Sequence, residues 1–227
     1  MELIIITAII AIIIIVILMP IDIKKMNKIA LDEELNKISD KYPSNVEICK
    51  DILLKVENPR TKIVENKDSE STLYIALQDK IYIGNTHGSF TRIQTIAHEC
   101  LHSMQDRKML IFNFIFSNIY LIYFLVICIL VIFKRLSNEL LYSNILLIFS
   151  FIYYAIRIFL ENDAMIKAEY LAKEYLQEKQ FANKTEIEKL ANGFKELNKY
   201  GIIATNSNLF IKIMLKVVIF SLLALIF

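Results

Sequence analysis

Hydrophobic residues are concentrated in four long blocks along the chain, and polar segments separate them. The blocks cover residues 3–21, 109–133, 140–160 and 209–227. A helix that crosses a bilayer needs about 20 consecutive apolar residues, so the first three blocks predict membrane-spanning helices. The fourth block is free of charge only over 217–227, and we expect Lys212 and Lys216 to extend toward the membrane surface if this block also spans.

The first polar segment combines helical periodicity with short strand patterns. Asp22 is predicted to begin one helix, and Ser44 with Glu47 forms a capping box that begins another. Runs rich in β-branched and aromatic residues predict three strands, at 61–64, 72–77 and 80–84. The stretch 66–71 is typical of a turn or loop, and we expect the strands to form a short antiparallel sheet.

The second polar segment is predicted to be helical throughout. Residues 161–181 are expected to continue the helix of the third apolar block. Thr185 with Glu188 forms a capping pattern that begins the next helix, and Gly201 is expected to end it.

Composition agrees with a membrane protein and excludes some partners. Hydrophobic residues make up 56% of the chain, above the globular norm of about 45–50%. The formal net charge of +2 is too small to indicate a nucleic-acid partner. The cysteines, Cys49, Cys100 and Cys128, are odd in number and one lies inside an apolar block, so no disulfide framework is expected and a reducing compartment fits.

Basic residues that flank the apolar blocks predict the orientation in the membrane. They are frequent beside the segments 22–108 and 161–208, whereas the loop 134–139 carries Lys134 and Arg135 alone. Because basic residues favour the cytoplasmic side, we expect both polar segments in the cytoplasm and both chain ends outside. The first block lacks the basic start of a cleavable signal and is expected to remain as an anchor.

These patterns predict an α+β membrane protein of the cell membrane, multi-pass and mostly helical, with about four transmembrane helices. It divides into five predicted parts: an N-terminal anchor (1–21), a cytoplasmic catalytic region (22–108), a transmembrane helical hairpin (109–160), cytoplasmic helices (161–208) and a C-terminal transmembrane helix (209–227).

The stretch AHECLHSMQD, residues 97–106, carries the chemistry that stands out in this sequence. His98, Glu99 and His102 form the pattern H-E-x-x-H. On a helix, residues four apart share a face, so both imidazoles can bind one Zn²⁺ ion, and Glu99 can act on a metal-bound water as general base. The alternative is two exposed histidines on an ordinary amphipathic helix.

A catalytic zinc ion needs a third protein ligand and an open position. The candidates are Glu161, which opens the helix after the third apolar block, and His87, which lies shortly before the motif helix. Two membrane crossings separate His102 from Glu161, so both return to one side, and a short-looped hairpin places their helices side by side. Glu161 is the better candidate, although an acid at this position also fits a membrane boundary.

Residues beyond Glu161 are consistent with a ligand-bearing helix. Asp163 is either a hydrogen-bond partner of a ligand histidine or a first-turn acid favoured by the helix dipole. Ala164, Ala168 and Ala172 recur every four residues, which permits close helix approach or reflects ordinary helix propensity. A donor for the reaction's oxyanion is expected among Tyr74, Tyr82, Tyr170 and Arg157.

The motif segments resemble a known family. TIAHECLHSMQD resembles the H-E-x-G-H-x-x-Q signature of the YugP-type neutral zinc metallopeptidases, and LENDAMIKAEYL resembles their downstream acidic element. Leu101 stands where that signature has Gly, and M48 and M56 membrane metallopeptidases are similar in pattern. The resemblance implies a gluzincin-like region with His98, His102 and Glu161 as zinc ligands and Glu99 as catalytic residue. It also places Gln105 on the family's Gln.

The function expected from the sequence is that of a zinc metallopeptidase embedded in the membrane. Its active site would lie on the cytoplasmic side and hydrolyse polypeptides close to the membrane surface, with the bilayer itself as a partner. Strands at 72–84 would offer an edge to an extended substrate. The alternatives are a metal-dependent membrane sensor or adaptor that hydrolyses little, and a small transporter or structural membrane protein.

Overall fold

The computed structural model describes residues 1–19, 22–66, 68–85 and 88–227. Helices predominate, together with one small sheet. The helices are α1 (Glu2–Leu18), α2 (Ile23–Ala30), α3 (Glu33–Ser39), α4 (Asn45–Lys55), α5 (Arg92–His102), α6 (Arg107–Ile132), α7 (Glu139–Lys179) and α8 (Lys184–Ile226). The strands are β1 (Lys62–Asn66), β2 (Leu73–Ile75) and β3 (Lys80–Gly84).

The chain forms two compact units. An apolar unit comprises residues 1–21, 112–159 and 203–227, and a polar unit comprises residues 22–111 and 160–202. Helices α7 and α8 are each divided between the two units: one part of the helix belongs to the apolar unit and the other part to the polar unit.

Three helices, α6, α7 and α8, are long and apolar enough to cross a membrane by length and composition. The fourth apolar block is therefore part of a longer helix that begins in the polar unit. α1 has 17 residues, slightly short of the usual spanning length of about 20, and Pro20 and Ile21 after it lie outside the described residues.

The helix starts follow local sequence signals, with one correction. Asp22 caps α2, and the predicted capping box of Ser44 and Glu47 begins α4. At α8, however, Asn183 and Glu186 exchange the reciprocal side-chain-to-backbone bonds, at 2.9 and 3.1 Å. The predicted start at Thr185 and Glu188 was therefore wrong by one half-turn, because Asn is as good a cap as Thr.

Gly201 does not end a helix, which corrects a second prediction. α8 continues through it to Ile226. A Cβ atom at this position would meet the Cε atom of Met165 on α7 at 2.9 Å. The glycine therefore permits a close approach between two helices, and its helix-ending tendency is overridden by packing.

The sheet has the order β1-β3-β2 and is mixed. β2 pairs with β3 antiparallel, whereas β1 pairs with β3 parallel. The prediction of an antiparallel sheet is thus right for one pair and wrong for the other. Residues 66–71 do not form a hairpin between β1 and β2, and Lys67 among them lies outside the described residues. β3 takes the centre because its Ile81 and Ile83 are both buried.

The core of the polar unit lies between the sheet and the helices that surround it. Its members come from α3, α4, β3, α5 and the polar-unit parts of α7 and α8. The alanine stripe of α7, Ala164, Ala168 and Ala172, is at most 1% exposed. Small side chains there allow neighbouring backbone to come close, which matters for a site built from two helices.

The apolar unit has its own core, and Lys216 makes an aromatic contact within this unit. Its Nζ atom lies 4.2 Å from the centre of the Tyr120 ring on α6, because the aromatic face offers the ammonium a favourable electrostatic contact within the bundle.

Candidate metal centre

One face of helix α5 packs into the core of the polar unit, and the two histidines lie on the opposite face. Ile93, Ile96, Ala97 and Cys100 are completely buried, so the turn of the helix directs His98 and His102 to the other side. The start of the helix is fixed by Arg92, whose guanidinium donates to the backbone carbonyls of residues 39, 42 and 43 at 2.6 to 2.8 Å. Burial lowers the pKa of Arg92.

Three potential ligand atoms converge at one point. The Nε2 atoms of His98 and His102 are 3.0 Å apart. Glu161 places Oε2 at 3.5 Å from Nε2 of His98 and Oε1 at 3.7 Å from Nε2 of His102. Each of the three residues offers a ligand atom within 4.8 Å of the other two.

These separations fit a tetrahedral metal site. Zn–N and Zn–O bonds of about 2.0–2.1 Å set the ligand atoms of a regular tetrahedron about 3.3–3.4 Å apart. The observed 3.0, 3.5 and 3.7 Å lie around that value. The side chains of His98 and Glu161 remain 18% and 13% exposed, and a tetrahedral ion held by three protein ligands would keep a fourth position for water.

Gln105 connects the ligand helices. Its Oε1 atom lies 2.8 Å from Nδ1 of His102, and its Nε2 atom donates to the carbonyl of Leu160 at 2.7 Å and to Asp163 at 3.2 Å. Because an amide oxygen accepts only, Nδ1 carries the proton and Nε2 of His102 is left as the free ligand nitrogen. Both residues predicted to support the ligands therefore lie in one hydrogen-bond chain.

Asp163 takes the hydrogen-bonding role, one contact removed from the histidine. It accepts from Gln105 and pairs with Lys167 at 2.6 Å. Partial burial would raise the pKa of Asp163, but the hydrogen bonds from Lys167 and Gln105 outweigh it and hold the pKa below its ordinary value. The carboxylate is therefore ionised when it orients the Gln105 amide.

Glu99 is buried beside the point of convergence and is restrained by the sheet. It is 7% exposed, and its Oε2 atom accepts from the backbone N–H of Tyr74 at 2.7 Å. Burial raises the pKa of Glu99, although His98 and His102 act against the rise. A carboxylate with a raised pKa holds a proton more readily than an exposed one, which suits a group that must accept and then return a proton.

The charges at the site favour a cation. Burial acts to lower the pKa of His102, but Glu161 and Glu99 outweigh it, and the pKa is raised. The two carboxylates thus favour a positive charge beside His102. A divalent ion bound by neutral imidazole nitrogens would satisfy the same carboxylates.

Other predicted residues lie elsewhere or act differently. His87 lies outside the described residues. The hydroxyl groups of Tyr74 and Tyr82 donate to Asp79 and Gln78, and Tyr170 is 63% exposed. Arg157 belongs to the apolar unit. The backbone amide of Tyr74 was not predicted, since nothing in the residue type marks an amide that faces outward from an edge strand.

No protein-family model matches the chain, and no curated protein or solved structure does so either.

Proposed function

We propose that the chain is a membrane-embedded zinc metallopeptidase that hydrolyses polypeptides close to the membrane surface. The observation that carries the proposal is the convergence of His98, His102 and Glu161 within 4.8 Å, with Glu99 buried next to it. Two imidazoles and one carboxylate are a donor set that suits Zn²⁺ with an open fourth position. The resemblance of the two segments to YugP-type metallopeptidases supports the same reading.

When bound, a zinc ion would polarise a substrate carbonyl and make water a nucleophile at neutral pH. The chain's own residues supply the rest. Glu99 takes the proton from the attacking water and delivers it to the leaving peptide nitrogen. Gln105 holds His102 in the tautomer that leaves Nε2 free, and Glu161 would complete the ligand set from α7.

The sheet supports the binding of an extended substrate. β2 is an edge strand, and the Tyr74 N–H points away from β3 to Glu99. A substrate strand that adds to this edge would pass directly beside the general base. The same amide is then available to the substrate backbone when Glu99 turns toward water.

The position of the site along the chain supports membrane-proximal substrates. α6 begins at Arg107, which lies 107 − 102 = 5 residues after His102, the second histidine. Glu161 follows the apolar block of α7. If α6 and α7 cross the bilayer, the histidines of α5 and Glu161 of α7 lie near the level at which the chain enters it.

The test compares Glu99→Gln with the unaltered chain on a quenched peptide that is anchored in vesicles by an acyl chain. Glu99→Gln keeps the shape but removes the base, so hydrolysis should fall about 10²–10⁴-fold while zinc content is unchanged. Glu188→Gln, an exposed carboxylate on α8, is the matched control and should cleave normally. Equal rates for Glu99→Gln and the parent, or full zinc content without any cleavage by the parent, would overturn the proposal; the second result favours a metal-dependent sensor.

A further inference from the structure

Lys216 occupies a position that the metal centre does not explain. Its ammonium lies 4.2 Å from the centre of the Tyr120 ring and 5.8 Å from that of Phe124. Tyr120 is 1% exposed, stacks on Tyr153 at 5.4 Å and shares a 2.9 Å hydrogen bond with the buried Ser150. All five side chains belong to the apolar unit.

The ammonium lies near the middle of the apolar helices. Tyr120 is 120 − 107 = 13 residues from the start of α6 and 132 − 120 = 12 residues from its end, which is about 20 Å and 18 Å at 1.5 Å per residue. Lys216 is 13 residues after Ile203, where α8 enters the apolar unit, and 10 residues before Ile226. A lysine side chain is shorter than either distance along α8, so Lys216 does not reach either end of the part of this helix that belongs to the apolar unit.

A lysine at this depth needs a counter-ion. Placing an ammonium at the centre of a bilayer is costly even on insertion scales, and a cation–π contact offsets only part of that cost. Within the described part of the chain, the contacts of Lys216 are the two aromatic rings, and no carboxylate pairs with it. The side-chain carboxylates of the apolar unit, Glu2 and Glu139, stand at helix starts.

We propose that Lys216 is a binding site for a membrane-spanning helix of another protein that carries an acidic residue near its middle. The proposal rests on the membrane-spanning character of α6, α7 and α8 but not on peptidase activity. Lys216 is half-buried, and it borders an exposed apolar strip of α8 formed by Leu215, Ile219 and Leu222. A partner helix lying along this strip brings a mid-span carboxylate to the ammonium.

The positive charge of Lys216 and its position along the apolar helices favour a partner helix with a carboxylate over other binding partners. A second copy of the chain offers no acid within the spans of its apolar unit at the level of Lys216. Anionic lipid headgroups lie at the bilayer surface, beyond the reach of the side chain. A carboxylate on a crossing helix arrives at the required depth and exchanges one buried unpaired charge for a pair.

The test measures association of the full-length protein in vesicles with a synthetic spanning peptide of leucine and alanine that has one central Glu. A twin peptide carries Gln instead. Energy transfer is recorded at pH 8, with a donor on the protein and trace amounts of labelled peptide. The Glu peptide should bind at least tenfold more tightly than its twin, and Lys216→Met should abolish the difference. Lys212→Met, which removes the exposed lysine four residues earlier on α8, should preserve it.

Equal binding of the Glu and Gln peptides to the parent protein would overturn the proposal. So would a Glu preference that survives Lys216→Met, or binding that depends on anionic lipid content and not on the central Glu. The peptide comparison on the parent protein stands even if Lys216→Met fails to fold. Repeating it with Glu99→Gln separates this site from the metal centre, because association should be unchanged in a variant that cannot hydrolyse.

Discussion

The Oε1 atom of Gln105 lies 2.8 Å from Nδ1 of His102, and this contact decides which nitrogen of the histidine is available to a metal. The same amide reaches Leu160 and Asp163 on α7. One side chain therefore sets the tautomer of a ligand on α5 and ties that helix to the one that carries Glu161. Partners of this kind hold a ligand ring in place before the ion arrives.

Gln105→Leu should lower zinc affinity about 10–100-fold, the usual effect of losing such a partner. The ring of His102 would then rotate freely, and α5 would lose its polar tie to α7. Competition with a chelating dye measures the affinity. Gln177→Leu, which alters an exposed glutamine of α7, is the control, and equal affinities for the two variants would show that Gln105 does not orient the ligand.

Glu161→Ala should weaken zinc binding more than Asp163→Ala does. The first change removes a ligand atom, whereas the second removes a carboxylate that acts through Gln105 and is separated from the metal position by two side chains. The same dye competition ranks the two variants. Unchanged affinity in Glu161→Ala, with a loss in His87→Ala, would transfer the third ligand to His87.

Features that depend on residues close together in the sequence could be predicted from it. His98 and His102 share a helix face because they are four residues apart, and the capping box of Ser44 and Glu47 is equally local. The convergence of Glu161 with them followed from counting membrane crossings, since an even number returns the chain to the same side.

Long-range contacts were not predictable. The parallel pairing of β1 with β3 joins strands that are separated by a third strand, and turn residues do not indicate such a partner. The amide of Tyr74 is equally hidden, because its contact with Glu99 depends on which edge of the sheet faces α5. Gly201 was misread for the same reason: the residue type suggested the end of a helix, whereas the packing of α8 against Met165 of another helix decided the outcome.

Gly201→Ala should stabilise the protein by about 0.5–1 kcal/mol, because alanine is the better helix residue and the end of the Met165 side chain can move. Gly193→Ala, on the same helix, should destabilise it. A Cβ atom there would meet Leu35 at 2.7 Å and the buried ring of Phe90 at 3.1 Å, and overpacking costs about 1–3 kcal/mol. Thermal unfolding in detergent measures both. A lower melting temperature for Gly201→Ala would show that Met165 cannot move aside and that the packing of α7 against α8 requires glycine at residue 201.

The proposed orientation is tested by cysteine labelling from outside intact cells. Single cysteines at Ser137 and Lys184 are introduced into the unaltered chain, whose own cysteines are all buried. Both sites are exposed. A membrane-impermeant maleimide should modify residue 137 at once and residue 184 only after the cells are permeabilised. Modification of residue 184 in intact cells would place the polar unit outside and contradict a cytoplasmic active site.

The metal centre is tested most directly by the metal content of the purified full-length protein, measured by mass spectrometry after exhaustive buffer exchange. The convergence of His98, His102 and Glu161 predicts about one zinc ion per chain. The double change His98→Ala with His102→Ala should reduce this to background, and His87→Ala should leave it unchanged. Full zinc content in the double variant, or none in the parent protein after growth with added zinc, would contradict the metal centre on which the proposed peptidase depends.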